Sequence, residues 1–151
     1  MLFRSNYEDK KSNTYVTTDA SDRCTGAVLS FGKTWEAVCP ITYKSYQLND
    51  AEKNYPTYEK ELLAIIKSLN KWSSHLLGTH VEIYTDHCTL EYFQSHKEMS
   101  RCQMRWLMYL VDFNYTITYI CSKSNMAANA LSHMPDAAPN NCLTACVMAY
   151  A

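Results

Sequence analysis

Two features of the 151-residue sequence predict an α/β fold, in which a mixed five-stranded sheet is flanked by helices. Near the N-terminus, three β-type segments follow one another with short connections, which favours an antiparallel β-meander. Farther along, helical patterns alternate with two more β-type segments, and a strand–helix–strand unit places its strands parallel in a right-handed crossover. We therefore expect the meander and the parallel strands to form one sheet.

The strands are predicted from β-branched and aromatic residues that alternate between two faces. The first three strands are expected at 14–20 (TYVTTDA), 26–31 (GAVLSF) and 35–43. The remaining two are expected at 81–86 (VEIYTD) and 115–120 (YTITYI).

The helices are predicted from apolar residues that recur at steps of three and four. This periodicity indicates four helices, over residues 56–77, 89–94, 101–113 and 125–133. Ser100 and Asn125 have side chains suited to the N-caps of the last two. In the longest helix, Lys60, Lys67 and Lys71 occupy the side opposite the apolar stripe, so we expect them to face solvent.

Length and composition bound the organisation of the chain. Residues 14–135 are predicted to form one domain, preceded by a polar lead-in at 1–13 and followed by a loosely attached tail at 136–151. The first residues lack the apolar core of a signal peptide, and no apolar run approaches the ~18 residues that a membrane span needs. These features predict an intracellular, cytoplasmic protein with no membrane partner.

Cysteine and charge patterns exclude several classes of protein. The seven cysteines form no CxxC pair, which disfavours a zinc finger or a disulfide framework and favours reduced, buried thiols. Lys and Arg number 14 against 15 Asp and Glu, so the net charge is −1. Bulk electrostatic binding of nucleic acid needs a surplus of clustered basic residues, and this balance disfavours it.

Acidic residues at the ends of strands suggest a metal site. Asp19 closes the first predicted strand and Asp86 the fourth, and in an α/β sheet such strand ends border the ligand site. Glu59 and Glu61 lie on the two borders of the apolar stripe of the long helix, and periodicity does not choose between them. An acid at a strand end is also common as a turn residue or helix cap, so position alone does not establish the site.

Seven short motifs occur in order between residues 14 and 135. They are TDASD (18–22), GAVL (26–29), YPTYEKELLAI (55–65), YTDHCTLEYF (84–93), RCQMRW (101–106), ITYI (117–120) and NMAANALSHMP (125–135). Together they resemble the ribonuclease H domain of the reverse transcriptase polyprotein of Gypsy-type long-terminal-repeat retrotransposons. The resemblance implies a ribonuclease-H-like fold and an endonuclease that hydrolyses the RNA strand of RNA–DNA hybrids during reverse transcription.

The resemblance also selects the acids of the site. In the family, the helical acid precedes Leu in an EL pair, which here is Glu61. Asp19, Glu61 and Asp86 would then bind two divalent ions, with Mg²⁺ preferred because it favours hard carboxylate oxygens, and with Mn²⁺ as a substitute. The resemblance implies no organic cofactor, and a domain that is normally tethered to the polymerase domain of a reverse transcriptase.

Three positions depart from the family pattern. The last predicted helix carries Asn129 where the family has a fourth acid, and His133 where it has Arg. Ser122 replaces a glycine in the preceding loop, which restricts positive φ there. An amide oxygen can ligate a hard cation but brings no charge, so Asn129 is a candidate catalytic residue in an impaired site. The alternative is an inactive module, a remnant with a structural or nucleic-acid-binding role.

Four basic or titratable residues are candidate contributors, and plainer roles stay open for them. Arg101 and Arg105, one helical turn apart, are candidates for contact with a phosphate backbone, or else they form a solvated helix face. His87, next to Asp86, could act as a general base, or it fixes the turn after the strand. His133 could move protons near the site.

Overall fold

The computed structural model describes residues 13–88, 90 and 98–133 of the chain. Its centre is one five-stranded sheet, made of β1 (Asn13–Ala20), β2 (Cys24–Gly32), β3 (Cys39–Gln47), β4 (His80–Thr85) and β5 (Asn114–Tyr119). In space the strand order is β3-β2-β1-β4-β5. The pairs β1–β2 and β2–β3 are antiparallel, whereas β4 runs parallel to both β1 and β5. The predicted mixed sheet, a meander joined to parallel strands, is confirmed.

Helices connect these strands and flank the sheet. They are α1 (Asp50–Lys53), α2 (Thr57–Lys71), α3 (Ser73–Leu76), α4 (Arg101–Leu110) and α5 (Met126–Ser132), with 3-10 turns at Trp35–Ala37 and Ser122–Ser124. The helix predicted over 56–77 is divided at Trp72, whose backbone (φ −106°, ψ 18°) leaves the helical conformation. The third strand begins at Cys39 rather than residue 35 because a 3-10 turn occupies its predicted start. The helix predicted over 89–94 lies, apart from Leu90, outside the described residues.

The sheet separates two hydrophobic clusters. On one face, Leu62 and Ile65 of α2 belong to a buried cluster that includes Val16 of β1. On the opposite face, Leu131 of α5 packs with Val28 of β2. Successive residues of a strand point to opposite faces, so the sheet is covered by α2 on one side and by α5 on the other.

Helix α5 lies directly on the central part of the sheet. A Cβ atom at Gly26 of β2 would come within 2.4 Å of the Ala128 carbonyl oxygen, so only glycine permits this approach. The hydroxyl of Ser45 on β3 donates to the carbonyl of Leu131 at 3.0 Å. These contacts hold the C-terminal half of α5 against the sheet.

The two predicted helix caps have different outcomes. Ser100 caps α4 as predicted, because its hydroxyl accepts from the Gln103 N–H at 3.2 Å while the Gln103 side chain accepts from the Ser100 N–H at 3.0 Å. Asn125 occupies the N-cap position of α5 as predicted, but its side chain makes no capping bond to the helix. Its amide instead donates to the carbonyl of Thr18 at 2.9 Å and ties the start of α5 to β1.

Two of the three lysines expected at the surface of α2 form ion pairs instead. Lys60 is 7% exposed, and its Nζ lies 3.0 Å from a carboxylate oxygen of Asp22 in the β1–β2 turn. Lys67 is half-buried, with its Nζ 2.8 Å from Glu52 of α1. The prediction was wrong for both because connecting segments, as well as the sheet, pack against α2. Lys71 is exposed as expected.

The cysteines of the described residues are free thiols, but most of them are not buried. Cys24 is buried and Cys102 is half-buried, whereas Cys39, Cys88 and Cys121 are exposed. The expectation of buried thiols was wrong for these last three because they lie at the start of an edge strand or in connections.

The predicted boundaries of the domain concern the two ends of the chain. Strand β1 begins at Asn13, the last residue of the predicted polar lead-in. The tail predicted at 136–151 lies outside the described residues. Within the part of the chain that the structure describes, no helix has both the length and the apolar character needed to cross a membrane.

Candidate metal centre

Two neighbouring parallel strands bring two aspartates to one edge of the sheet. Asp19 lies near the end of β1, and Asp86 directly follows β4. Thr18 pairs with Thr85 in the parallel register, so the next residue along each strand reaches the same place. This is the carboxyl edge of the parallel strands, where ligands bind in α/β sheets.

Helix α2 adds a third carboxylate to these two. Ligand oxygens of Asp19, Glu61 and Asp86 all lie within 4.8 Å of one another. Oε1 of Glu61 accepts a hydrogen bond from the Ala20 N–H at 3.2 Å, which holds the helical acid over the end of β1. The structure therefore brings together the three acids that the sequence predicts as metal ligands.

Glu59, the other acid at the border of the apolar stripe, makes its contacts elsewhere. Its Oε1 accepts from Gln103 Nε2 at 3.0 Å and from the Tyr58 hydroxyl at 3.4 Å. Gln103 belongs to α4, so Glu59 takes part in the packing of α2 against α4. Consecutive helical residues are rotated by about 100°, and Glu59 and Glu61 therefore point about 160° apart.

Burial and mutual repulsion make this cluster of acids unfavourable without a cation. Burial and the neighbouring carboxylates of Asp19 and Asp86 raise the pKa of Glu61 to about 9. Burial also raises the pKa of Asp19 to about 6, although the hydrogen bond from Ser132 opposes the shift. Three adjacent carboxyl groups cannot all ionise in a desolvated site unless positive charge is supplied.

The three acids fit a divalent cation. Oε2 of Glu61 is buried and has no hydrogen-bond partner among the described residues. A buried carboxylate oxygen without a donor is costly, and a bound cation supplies the missing partner. Carboxylate oxygens are hard ligands, which suit Mg²⁺, Mn²⁺ or Ca²⁺ rather than soft metals.

Helix α5 carries Asn129 toward the same region. Asn125, Asn129 and Ser132 are spaced by four and three residues, so they share one face of the helix. Asn125 bonds to the carbonyl of Thr18, and Ser132 bonds to the carboxylate of Asp19. Asn129 is half-buried between them, which places it on the side of α5 that faces the end of β1.

Two serine hydroxyls at the cluster had no predicted contact with the acids. Ser132 donates to Oδ2 of Asp19, and Ser122 donates to Oδ2 of Asp86 at 3.0 Å. Ser132 stands three residues after Asn129, so the helical repeat alone could have placed it on the same face. The contact of Ser122 depends on how the loop packs, which no local pattern reveals. Its backbone has no positive φ, so the serine fits this loop without strain.

The structure gives the four candidate contributors different surroundings. Arg101 and Arg105 are exposed on α4, and neither belongs to the carboxylate cluster. The backbone N–H of His87 donates to the Thr85 hydroxyl at 3.3 Å, which accords with a role in the turn after β4. His133 is exposed at the end of α5, close enough that its charge lowers the pKa of Asp19.

We expect the metal-free chain to lose stability as pH rises from about 5 to about 9. The folded-state pKa values of Asp19 and Glu61, about 6 and about 9, lie above the ordinary values of 3.8 and 4.5. The folded chain therefore holds more protons than the unfolded chain in this window. The stabilising contribution is complete below the ordinary values and is lost as pH rises through the folded-state values.

Thermal unfolding in a chelator at pH 5, 7 and 9 checks this expectation. Tm should fall by several degrees across the series, and added Mg²⁺ should restore it at pH 7 and 9. Asp112→Asn serves as the control and should show the same fall in Tm as the unsubstituted chain. Asp112 is exposed and precedes β5, away from the carboxyl edge of the sheet, so its substitution leaves the acid cluster intact. A Tm that rises over this range would contradict the raised pKa values.

Comparisons with known sequences identify relatives of this chain. Residues 9–113 match the sequence profile of a family described as the RNase H-like domain found in reverse transcriptase. The retrovirus-related Pol polyprotein from transposon opus of Drosophila melanogaster is 39% identical over 122 residues. That match covers 80% of this chain and 12% of the polyprotein, so the chain spans about an eighth of the length of this relative.

Solved structures share the fold. RNase H1 from the halophilic archaeon Halobacterium salinarum superposes with a TM-score of 0.60 at 14% identity, over 79% of this chain and 93% of the archaeal chain. The foamy viral protease-reverse transcriptase in complex with RNA/DNA hybrid matches with a TM-score of 0.56 at 23% identity. That match covers 87% of this chain and 18% of the viral protein.

Proposed function

Because this chain belongs to the family of RNase H-like domains found in reverse transcriptases, we propose that it hydrolyses the RNA strand of RNA–DNA hybrids during reverse transcription. One observation carries the proposal: three carboxylates from β1, α2 and the end of β4 place ligand oxygens within 4.8 Å of one another. Holding three adjacent acids together in a partly buried site costs free energy, and a bound cation offsets that cost. Metal-assisted hydrolysis of a phosphodiester is the chemistry that such a site supports.

In this proposal, Asp19, Glu61 and Asp86 hold two divalent ions, with Mg²⁺ as the working ion and Mn²⁺ as a substitute. When bound, the ions supply an activated water nucleophile and neutralise charge on the departing 3′ oxygen. The protein positions these groups and contributes no covalent nucleophile. The Ala20 N–H fixes one oxygen of Glu61, so the other is left for a cation. The products are a 5′-phosphate and a 3′-hydroxyl.

Recognition of the hybrid rests on its shape, its backbone and the 2′-hydroxyls of the RNA strand. In support, a protein of the same fold, the foamy viral enzyme, has been solved with an RNA/DNA hybrid. Arg101 and Arg105 are exposed one turn apart on α4 and are proposed to contact phosphates. With a net charge of −1, intrinsic affinity should be weak, and tethering to a polymerase domain would replace affinity by effective concentration.

A second candidate function is favoured by Asn129. Relative to the family pattern, this position has lost a negative charge, which weakens the hold of the site on a second divalent ion. The chain could then act as an inactive module with a structural or nucleic-acid-binding role. The three remaining acids, two of them buried and one half-buried, oppose this candidate, because an inactive site would gain nothing from keeping them together.

A cleavage assay separates the two candidates. The whole chain is incubated with a labelled RNA–DNA hybrid in Mg²⁺, in Mn²⁺ and in a chelator, with Asp19→Asn as the blank and Asp112→Asn as the matched control. The enzyme candidate requires metal-dependent cutting of the RNA strand by the unsubstituted chain and by Asp112→Asn, and none by Asp19→Asn. Absence of cutting in both metals, with hybrid binding intact, would favour the inactive module.

A further inference from the structure

We propose that Ser132 is a positioning residue, which holds the Asp19 carboxylate in the orientation that binds a divalent cation. The inference deepens the proposed function and rests on it. It assigns a task to a residue outside the carboxylate cluster of Asp19, Glu61 and Asp86. Its basis is a hydrogen bond between the last residue of α5 and an acid of the candidate metal centre.

The hydroxyl of Ser132 is placed where it can act on a single carboxylate. Ser132 is 1% exposed, and its Oγ donates to Oδ2 of Asp19. The hydroxyl has one proton, and the carbonyl of Asn129, 2.8 Å away, is the competing acceptor. A carboxylate anion is the stronger acceptor, so an Asp19 that carries a bound cation keeps the hydroxyl.

The backbone that carries this hydroxyl is fixed independently of Asp19. The Ser21 hydroxyl contacts the carbonyl of Ser132, and the Ser45 hydroxyl donates to the carbonyl of Leu131 at 3.0 Å. Gly26 allows α5 to approach β2 without an intervening side chain. Ser132 therefore presents its hydroxyl from a rigid support.

The two carboxylate oxygens of Asp19 therefore have different roles. Oδ2 accepts from the serine hydroxyl, so Oδ1 is the oxygen that we expect to bind the cation. Hydrogen bonds of this kind orient metal-binding carboxylates, and loss of such a partner typically costs about 10–100-fold in metal affinity. Ser122 makes a corresponding bond to Asp86, but it is exposed, so water can replace it.

A plainer role for Ser132 is to anchor α5 to the sheet. Ser45 provides the comparison, because its hydroxyl also anchors α5 but contacts a backbone carbonyl rather than an acid. If anchoring is all that matters, Ser45→Ala and Ser132→Ala should have similar effects on metal binding. If Ser132 positions Asp19, only Ser132→Ala should weaken it.

The test measures Mn²⁺ binding to the whole chain by calorimetry, with Tm recorded for each protein. We expect Ser132→Ala to raise the Kd for Mn²⁺ about tenfold. Ser132→Thr keeps the hydroxyl and should restore binding to near the unsubstituted value, while Ser45→Ala should leave the Kd unchanged. Alanine suits a helix, so Ser132→Ala should remain folded, and its Tm verifies this.

The possible outcomes distinguish the positioning role of Ser132 from the proposed metal site and from the proposed nuclease function. Equal Kd values for Ser132→Ala and the unsubstituted chain, or an equal loss in Ser45→Ala, would overturn the positioning role. Absence of Mn²⁺ binding by the unsubstituted chain would overturn the metal site and this inference together. Intact Mn²⁺ binding without hybrid cleavage would overturn the proposed nuclease function alone.

Discussion

Glu61→Gln is expected to lower Mg²⁺-dependent cleavage of a hybrid by about a hundredfold or more, while it raises Tm in the absence of metal. The loss follows because the substitution removes a charged ligand, a larger change than loss of a supporting hydrogen bond. The gain in stability follows because burial and two neighbouring carboxylates raise the pKa of Glu61 to about 9, so the acid folds at a cost at pH 8. A neutral amide of the same shape carries no such cost.

The measurement pairs a cleavage assay in Mg²⁺ with thermal unfolding at pH 8 in a chelator. Glu59→Gln is the matched control: the same substitution in a buried acid on the same helix, in contact with Gln103 rather than with the acid cluster. It should leave cleavage near the unsubstituted level. Full activity in Glu61→Gln, or a fall in its metal-free Tm, would show that the residue is not a ligand in an electrostatically strained site.

Asn129→Asp is expected to raise Mg²⁺-dependent cleavage by about tenfold and to tighten metal binding, because it returns a negative charge to the helix face that meets the end of β1. The fold should tolerate the change, since Asp and Asn have nearly the same shape and Asn129 is half-buried. In the absence of metal, the added charge should lower Tm, because a fourth carboxylate increases the repulsion.

Asn70→Asp is the control for Asn129→Asp, because it adds the same negative charge away from the acid cluster. Asn70 is an exposed residue of α2, about 14 Å along the helix from Glu61, and it accepts a hydrogen bond from the Tyr109 hydroxyl. This variant should show neither faster cleavage nor tighter metal binding. If Asn129→Asp gives no gain in rate, Asn129 does not limit the site.

The positions of the two aspartates could be predicted because the alternating pattern of each predicted strand ends at an aspartate. Asp19 and Asp86 follow runs of β-type residues, and parallel strands bring such ends to one edge. The choice between Glu59 and Glu61 could not be made from periodicity, since both border the apolar stripe of α2. It depends on which border meets β1 and which meets α4, and that is a property of tertiary packing.

The last helix also shows that local sequence patterns do not reveal tertiary contacts. The helix was predicted over residues 125–133 and spans Met126–Ser132. Its extent was predicted well because the segment between Asn125 and Pro135 has a short amphipathic helical pattern. The role of Asn125 was not, because a cap and a long-range bond use the same side-chain groups. Which bond forms depends on how closely α5 packs on the sheet, and Gly26 of β2 permits that close approach.

The bonds from α5 to β1 also constrain how the domain assembles. The amide of Asn125 and the carbonyl of Thr18 are 107 residues apart in the chain, and the Ser132–Asp19 bond spans 113. Contacts of such long range slow folding, because the chain must close a large loop before it gains any stabilisation from them. During synthesis, β1 leaves the ribosome long before the helix that secures its acidic end. The hydrogen bond from Ser132 to Asp19 can therefore form only after almost the entire domain has been synthesised. A nascent chain that stops before α5 lacks this bond.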